Sequence, residues 1–237
     1  MIIDPEIKKC EDSFEYFFDN YSGLNPDEKQ KTQGKNMCSV NRSVLLSPRR
    51  NGVTTLAKAY ITWKLLFGRD ENIYYCSHNG ASRSMVLNGI ICMCEELQKR
   101  FNFEIVVPNN GTVTVNDCRV STLDINRFEY VFLGSRGQTV IVDNAEYIDY
   151  KLPISQIWER SGYRLKGLHF LTTGKKKYLN EFQIWLKSEY EKFGFDITIW
   201  NSDKTLEEKQ GFVNTMGYDQ YYLEFGNAWE EFLLKGS

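Results

Sequence analysis

The sequence predicts an α/β fold: a mainly parallel sheet sandwiched by helices, with an antiparallel extension at one edge. Short apolar runs alternate with segments whose apolar residues recur every three or four positions, the pattern of strands joined by crossover helices. The middle of the chain, residues 103–142, breaks instead into short strand-like runs around the hairpin signal Asn109-Asn110-Gly111. With 237 residues, 42% hydrophobic and 14% aromatic, the chain can bury one sizeable core.

In order, residues 6–21 carry Ile7, Cys10, Phe14, Phe17 and Tyr21 at helical spacing. Residues 22–42 turn polar, with Gly23, Pro26 and Gly34, and read as a connection. The expected division is therefore an N-terminal helix and linker over 1–42 and the main domain over 43–237. Residues 43–47 form a buried strand, followed by a loop through Gly52 and a helix carrying Leu56, Tyr60, Trp63 and Phe67 until Gly68. A strand is predicted over 72–77 and a helix over 82–101, with Val86, Ile90, Cys94, Leu97 and Phe101 on one face. Strands follow at 103–107, 112–115, 119–123, 130–133 and 139–142. A strand at 166–172, a helix at 178–193, a strand at 195–200 and a helix at 206–216 precede an aromatic-rich stretch over 218–234.

Composition excludes several classes. Net charge is −2, from 29 basic and 31 acidic residues, without the basic excess of a protein that coats nucleic acid. Any DNA contact is expected to be local, transient or shared between subunits. The six cysteines lack C-x-x-C spacing and the two histidines lie far apart, so neither suggests zinc. Cys92 and Cys94 are expected as small buried hydrophobes, and the thiols as reduced in an intracellular protein. The N-terminus has no signal-peptide pattern, and no apolar stretch approaches the roughly 20 residues that span a bilayer.

The window Ser47-Pro48-Arg49-Arg50-Asn51-Gly52-Val53-Thr54 joins a strand to a helix beginning Thr54-Thr55. That is the layout of a phosphate-binding P-loop, whose backbone N–H groups and helix dipole face an anion. Against the pattern G-x-x-x-x-G-K-[ST], serine replaces the first glycine and Val53 the lysine. An equally ordinary reading is a strand-to-helix loop with Thr54 or Thr55 as N-cap.

Residues 139–143 form an apolar strand ending in Asp143, which places a carboxylate at a sheet's C-terminal edge. In P-loop enzymes such an aspartate helps to hold Mg²⁺. Taken alone, Asp143 is also read as the cap of a turn. Asn144 follows, and an amide cannot act as a base. Glu146 is expected to point elsewhere, further along the turn.

Taken in order, these windows resemble the ATPase domain of the large terminases of tailed phages and herpesviruses, the motors that package double-stranded DNA. Residues 45–55 resemble their variant Walker A, in which an early arginine precedes G-K-T. Ser77-His78-Asn79-Gly80-Ala81-Ser82 with Val86-Leu87 resembles a strand-to-helix segment of T-even phage terminases. Arg136-Gly137-Gln138 is similar to the R-G segment before Walker B, and Leu171-Thr172-Thr173-Gly174 resembles the coupling motif.

The resemblance implies ATP with Mg²⁺ as ligand and assigns roles. Gln30, Arg49, Arg50, Asn51, Gly52, Val53, Thr54 and Thr55 would hold the nucleotide, with Gln30 toward adenine and Arg49 toward the γ-phosphate. Thr54 and Asp143 would hold the metal; Arg49, Asp143 and Asn144 occupy the catalytic positions, and Thr172, Thr173 and Gly174 the coupling positions. It also implies double-stranded DNA and portal or other packaging proteins as partners, assembly as a homo-oligomer, and a place inside the infected host cell. The nuclease that normally follows in this family has no room before Ser237, so a separate nuclease subunit is expected. With the Walker A lysine replaced by Val53 and the catalytic glutamate by Asn144, hydrolysis is expected to be weakened or lost, the alternative being a pseudo-ATPase that keeps the fold as a structural or regulatory module.

Lys175-Lys176-Lys177 reads as a solvated loop, or as a contact for DNA phosphate or a neighbouring subunit. His78 and His169 are expected as hydrogen-bonded structural residues, and the tryptophans as core or interface anchors.

Overall fold

The structure is a computed structural model and describes residues 5–48, 51–101, 103–107, 111–127, 138–148, 165–173, 182, 186, 191 and 193–200. The predicted strand at 130–133, most of the predicted helix at 178–193 and everything beyond 200 lie outside the described residues. So do Arg49, Arg50, Arg136, Gly137, Gly174 and the lysine triplet at 175–177.

The amphipathic stretch expected as one helix is two, α1 (Pro5–Asp12) and α2 (Phe14–Asn20). Ser13 adopts an extended backbone between them, and its hydroxyl accepts a hydrogen bond from the Tyr16 N–H at 3.1 Å. A serine that offers the next turn an N-cap thus divides a continuous apolar face. The polar stretch after it, expected as a connection, instead contains the helix α3 (Glu28–Ser39). A capping box starts it: the Asp27 carboxylate accepts from the Gln30 backbone N–H at 2.8 Å, and the Gln30 side-chain amide oxygen accepts from the Asp27 N–H at 3.0 Å. Periodicity missed α3 because its buried face is Gln30, Gln33, Gly34 and Met37, mostly polar or small. Side chains of α1, α2 and α3, among them Cys10, Phe14, Phe17 and Met37, pack into the same core as Leu56 and Tyr60.

From there strands and helices alternate: β1 (Arg42–Ser47), α4 (Val53–Phe67), β2 (Asn72–Ser77), α5 (Gly80–Gln98), β3 (Ile105–Val106), β4 (Thr112–Val115), β5 (Cys118–Asp124), β6 (Gln138–Asp143), β7 (Leu165–Thr173) and β8 (Asp196–Ile199). They build one eight-stranded sheet in the order β3-β4-β5-β2-β6-β7-β1-β8. The pairs β3/β4 and β4/β5 are antiparallel and every other pair is parallel, as the sequence predicted.

Alternation along the strands feeds two cores. Leu45, Ile73, Tyr75, Ile141 and Leu171 pack on the side of α4 and α5, whereas Val44, Leu46, Cys76, Val140, Val142 and Phe170 pack on the opposite face. Trp63 and the buried Trp200 are anchors as expected, the Trp63 indole N–H donating to the Cys10 carbonyl at 2.7 Å. Of the two helix α5 cysteines only Cys94 is buried; Cys92 is exposed, a correction to the expectation for it. No helix among the described residues is long and apolar enough to cross a membrane.

Two titratable groups in the interior, His169 and Glu71, are paired, whereas the buried Ser77 hydroxyl of β2 has no hydrogen-bond partner among the described residues. His169, fully buried on β7, meets the Ser43 hydroxyl at Nδ1 (2.9 Å) and the Tyr60 hydroxyl at Nε2 (3.3 Å). Glu71, 3% exposed, accepts from the Thr139 hydroxyl and lies 3.5 Å from the Lys64 ammonium. Burial of this kind is stable only when each group keeps a partner.

Candidate functional site

Parallel pairing brings the C-terminal ends of β1, β7, β6 and β2 to one edge of the sheet. Register matches Ser47 with Thr173 and Asp143 with Leu171, so only β7 separates the loop after β1 from the carboxylate ending β6. Open α/β sheets bind ligands at such an edge.

The loop enters α4 through Gly52, whose φ of 73° is left-handed. A Cβ at that position would lie 2.1 Å from the Gln30 side-chain nitrogen, so any side chain there would have to displace that amide. That amide donates to the Gly52 carbonyl at 3.1 Å, which joins α3 to the loop. Gly52 is itself the N-cap, and no side chain caps the helix. The alternative in which Thr54 or Thr55 caps it is therefore not what forms. The first N–H groups of a 15-residue helix face this edge without a side-chain acceptor at the cap.

Thr54 instead turns across the edge and donates to Asp143 Oδ2 at 3.2 Å. The same oxygen accepts from the Tyr75 hydroxyl on β2 at 2.5 Å. Asp143 is 5% exposed, and burial drives its carboxyl up from 3.8 to about 6. The Tyr75 hydrogen bond opposes this, the nearby Glu146 charge adds to it, and the bonds from Thr54 and the Asn144 N–H oppose it. Burial and the same carboxylate hold the Tyr75 phenol protonated.

Val53, in the position of the missing lysine, is half-buried against the α4 side of the core. Lys58 does not take its place: its side chain lies against Gly89 in the middle of α5. Asn51 and Thr55 are half-buried on the loop and in the first turn of α4.

After Asp143 the chain turns sharply. Asn144 has a left-handed backbone, φ 59° and ψ 48°, and caps a 3-10 turn, Ala145–Tyr147. Glu146 does not point away, as the sequence reading expected. It returns to the edge, 5% exposed, and accepts a hydrogen bond from the Thr172 hydroxyl at 2.8 Å. His78 is exposed and stacks on Tyr147, with ring centroids 3.8 Å apart.

Sequence reasoning thus named Thr54, Asp143, Gly52 and Gln30, which the fold brings together, and missed Tyr75 and Tyr147. The signal for Tyr75 was present: two residues before the end of a strand, it shares a face with that strand's last residue. Threonine and carboxylate oxygens are hard ligands suited to Mg²⁺, which keeps several waters and phosphate oxygens of its own.

No protein-family model matches the sequence, and no curated protein matches it. Solved structures do. A single-residue variant of the Thermus phage P74-26 large terminase ATPase domain superposes with a TM-score of 0.69 at 14% identity, covering 91% of this chain and 97% of that one. The fold is that of a phage large terminase ATPase domain. The HK97 bacteriophage large terminase gives a TM-score of 0.62 at 12% identity over 95% of this chain and 50% of its own. The large terminase of a thermophilic bacteriophage gives 0.61 at 8% identity, over 86% and 54%, and has also been solved in complex with ATP-gamma-S and with ADP. This chain therefore spans about half the length of those whole terminases. At these identities the likeness to terminases is one of fold.

Proposed function

We propose that this chain is the nucleotide-binding ATPase module of a viral double-stranded DNA packaging motor, with hydrolysis weakened by the loss of the loop lysine. The observation that carries the reading is the Thr54–Asp143 contact at 3.2 Å, which joins the start of α4 to the end of β6 at the sheet edge where open α/β folds bind ligands. The phosphates of ATP would lie on the backbone of Gly52, Val53, Thr54 and Thr55, with Arg49, Arg50 and Asn51 along the loop and Gln30 behind it. Mg²⁺ would sit between the Thr54 hydroxyl and the Asp143 carboxylate, where it supplies positive charge to the phosphoryl oxygens. Thr172 and Thr173 end the strand between loop and acid and, with Gly174 next in the sequence, would sense nucleotide state.

Losing one preorganised charge stabiliser costs about 10²–10³ in rate, which is the handicap expected from Val53. Arginine at position 49 or 50 offers a planar fork rather than a lysine point charge. By analogy with the matched terminases, the working partners are double-stranded DNA, contacted transiently, the portal or other packaging proteins, a nuclease module and further copies of this chain, inside the infected host cell.

A second reading is a pseudo-ATPase that binds nucleotide, or only keeps the fold, as a structural or regulatory part of the apparatus. The core-facing Val53 side chain and the diversion of Lys58 toward Gly89 favour it. Titration with a fluorescent ATP analogue and Mg²⁺, followed by turnover assays with and without DNA, separates the readings. Saturable Mg²⁺-dependent binding with slow turnover supports the first; binding without turnover supports the second; no binding removes the nucleotide site.

A further inference from the structure

The residue directly after the metal-facing acid is an amide, yet the structure returns a carboxylate to the same sheet edge from two residues further on. The left-handed Asn144 reverses the chain, and the 3-10 turn is closed by the Tyr147 N–H to the Asn144 carbonyl at 3.0 Å and the Ile148 N–H to the Ala145 carbonyl at 3.1 Å. This geometry carries Glu146 over the end of β7, where Thr172 binds its Oε2 at 2.8 Å and fixes the plane of the carboxylate. Thr172 pairs in register with Leu46, the residue before Ser47 and the loop, and follows Leu171, the partner of Asp143. Glu146 is therefore close enough for its charge to act on Asp143, and it lies at the ends of the strands that frame the loop.

We propose that Glu146, rather than position 144, supplies the carboxylate that orients the attacking water and accepts its proton. The proposal rests on the nucleotide site described above and deepens it. An amide at 144 can hold a water but cannot take a proton, whereas a carboxylate does both. In the step, the water oxygen forms a bond to the γ-phosphorus while the bond from that phosphorus to the β,γ-bridging oxygen breaks. The electron pair of the broken bond leaves with ADP. The water proton passes to Glu146 and is released with inorganic phosphate, so that ATP and water give ADP and phosphate. Thr172, by holding the carboxylate, is a positioning residue, which links the strand between loop and acid directly to the chemistry.

A merely structural Glu146 would be needed as a hydrogen-bond acceptor, as it is for the Thr172 hydroxyl, and glutamine provides an acceptor of the same length. Glu146→Gln therefore separates the roles. In the full chain with Mg²⁺ and double-stranded DNA, binding of a fluorescent ATP analogue is measured alongside single-turnover release of γ-phosphate. The expected result is affinity within about twofold of the parent and hydrolysis slower by roughly 10²–10⁴. Thr172→Val serves where the first variant folds poorly: it keeps the carboxylate, frees its orientation and lowers kcat without changing nucleotide affinity. Parent-like hydrolysis in Glu146→Gln overturns the proposal, as does a parent chain that binds nucleotide and does not hydrolyse it, an outcome that leaves the nucleotide site standing. A parent chain that binds no nucleotide removes that site, and this proposal with it.

Discussion

The Tyr75 hydroxyl donates to the Asp143 carboxylate across two adjacent parallel strands, 2.5 Å from Oδ2, the oxygen that Thr54 also reaches. Both partners are buried, so the bond acts in a medium where it strongly favours the charged acid. Tyr75→Phe removes that stabilisation and drives the Asp143 carboxyl further above its present value of about 6. A hydrogen bond to a charged group contributes about 1.5–3 kcal/mol, which corresponds to about one to two pH units. Mg²⁺-dependent binding of an ATP analogue should then require a higher pH by about one unit. A pH titration of affinity in parent and variant checks it, and superimposable curves would exclude Tyr75 from the site.

Gly52 is constrained twice, by its left-handed backbone and by the Gln30 amide against its α-carbon. Alanine there costs roughly 1–2 kcal/mol for the backbone alone. For a chain of this size that lowers Tm by about 2–8 °C. Pairing Gly52→Ala with Gln30→Ala removes the clash but not the backbone strain, so the double variant should recover only part of the loss. Full recovery in a thermal melt would mean that the loop relaxes out of its left-handed turn.

His169 predicts an acid limb of stability. Burial, aided by the Lys64 charge, lowers its pKa from 6.5 to about 3. The unfolded chain therefore takes up a proton below about 6.5 that the folded chain refuses. Stability from this group is fully present above that pH and is lost as pH falls toward 3, by about 1.4 kcal/mol per unit. His169→Gln retains hydrogen bonding to Ser43 and Tyr60 and removes the titration. Between pH 6.5 and 5 the parent should lose roughly 2 kcal/mol relative to the variant in urea unfolding. Parallel losses in the two proteins would show that the imidazole is protonated in the fold.

The sheet was legible because its signals are local. The runs at β1, β2 and β6 are short and apolar, each followed by a break, and the helices α4 and α5 keep an apolar stripe. The meeting of Thr54 and Asp143 was legible because each marks the end of an element, Asp143 the last residue of β6 and Thr54 the first turn of α4. What escaped depends on geometry that spacing does not encode. Helix α3 packs through glutamines and a glycine, which lack an apolar period. The break at Ser13 is set by one hydroxyl within an unbroken apolar pattern. Glu146 regains the edge only because Asn144 takes a left-handed backbone, and Tyr75 reaches Asp143 only through a strand pairing between distant segments.

Lys64 and Glu71 test how the far side of the sheet is held. Glu71 is buried at 3% exposure, with the Thr139 hydroxyl and the Lys64 ammonium as its partners. Removing only the cation leaves a buried charge without its counterion, which typically costs about 3–5 kcal/mol. Lys64 is 20% exposed at its side chain, so solvent reduces that cost and Lys64→Met should destabilise by about 2 kcal/mol. Adding Glu71→Leu removes the stranded acid and should restore much of the loss. A double-mutant cycle in urea measures the coupling, and additive losses would show that the pair does not interact.

Asp143 presents the opposite balance, in which function and stability separate. Its carboxyl, raised from 3.8 to about 6, keeps its proton in the fold over a range where the unfolded chain has released it. The folded state is favoured below about pH 4 and loses that advantage as pH rises through 6, by on the order of 2–3 kcal/mol. Asp143→Asn keeps an acceptor for Tyr75 and Thr54 and carries no charge to bury. At pH 7.5 the variant should therefore be more stable than the parent by on the order of 2 kcal/mol, a gain that disappears by pH 4. The same change removes the anionic oxygen facing the start of α4, so the Mg²⁺-dependent part of nucleotide affinity should fall at least about tenfold, while affinity in EDTA stays unchanged. An acid retained at a cost in stability is the behaviour of a functional group rather than a turn cap. Thermal melts across pH together with analogue titrations in Mg²⁺ and EDTA decide between the two, because a turn cap loses stability when its charge is removed and shows no metal dependence.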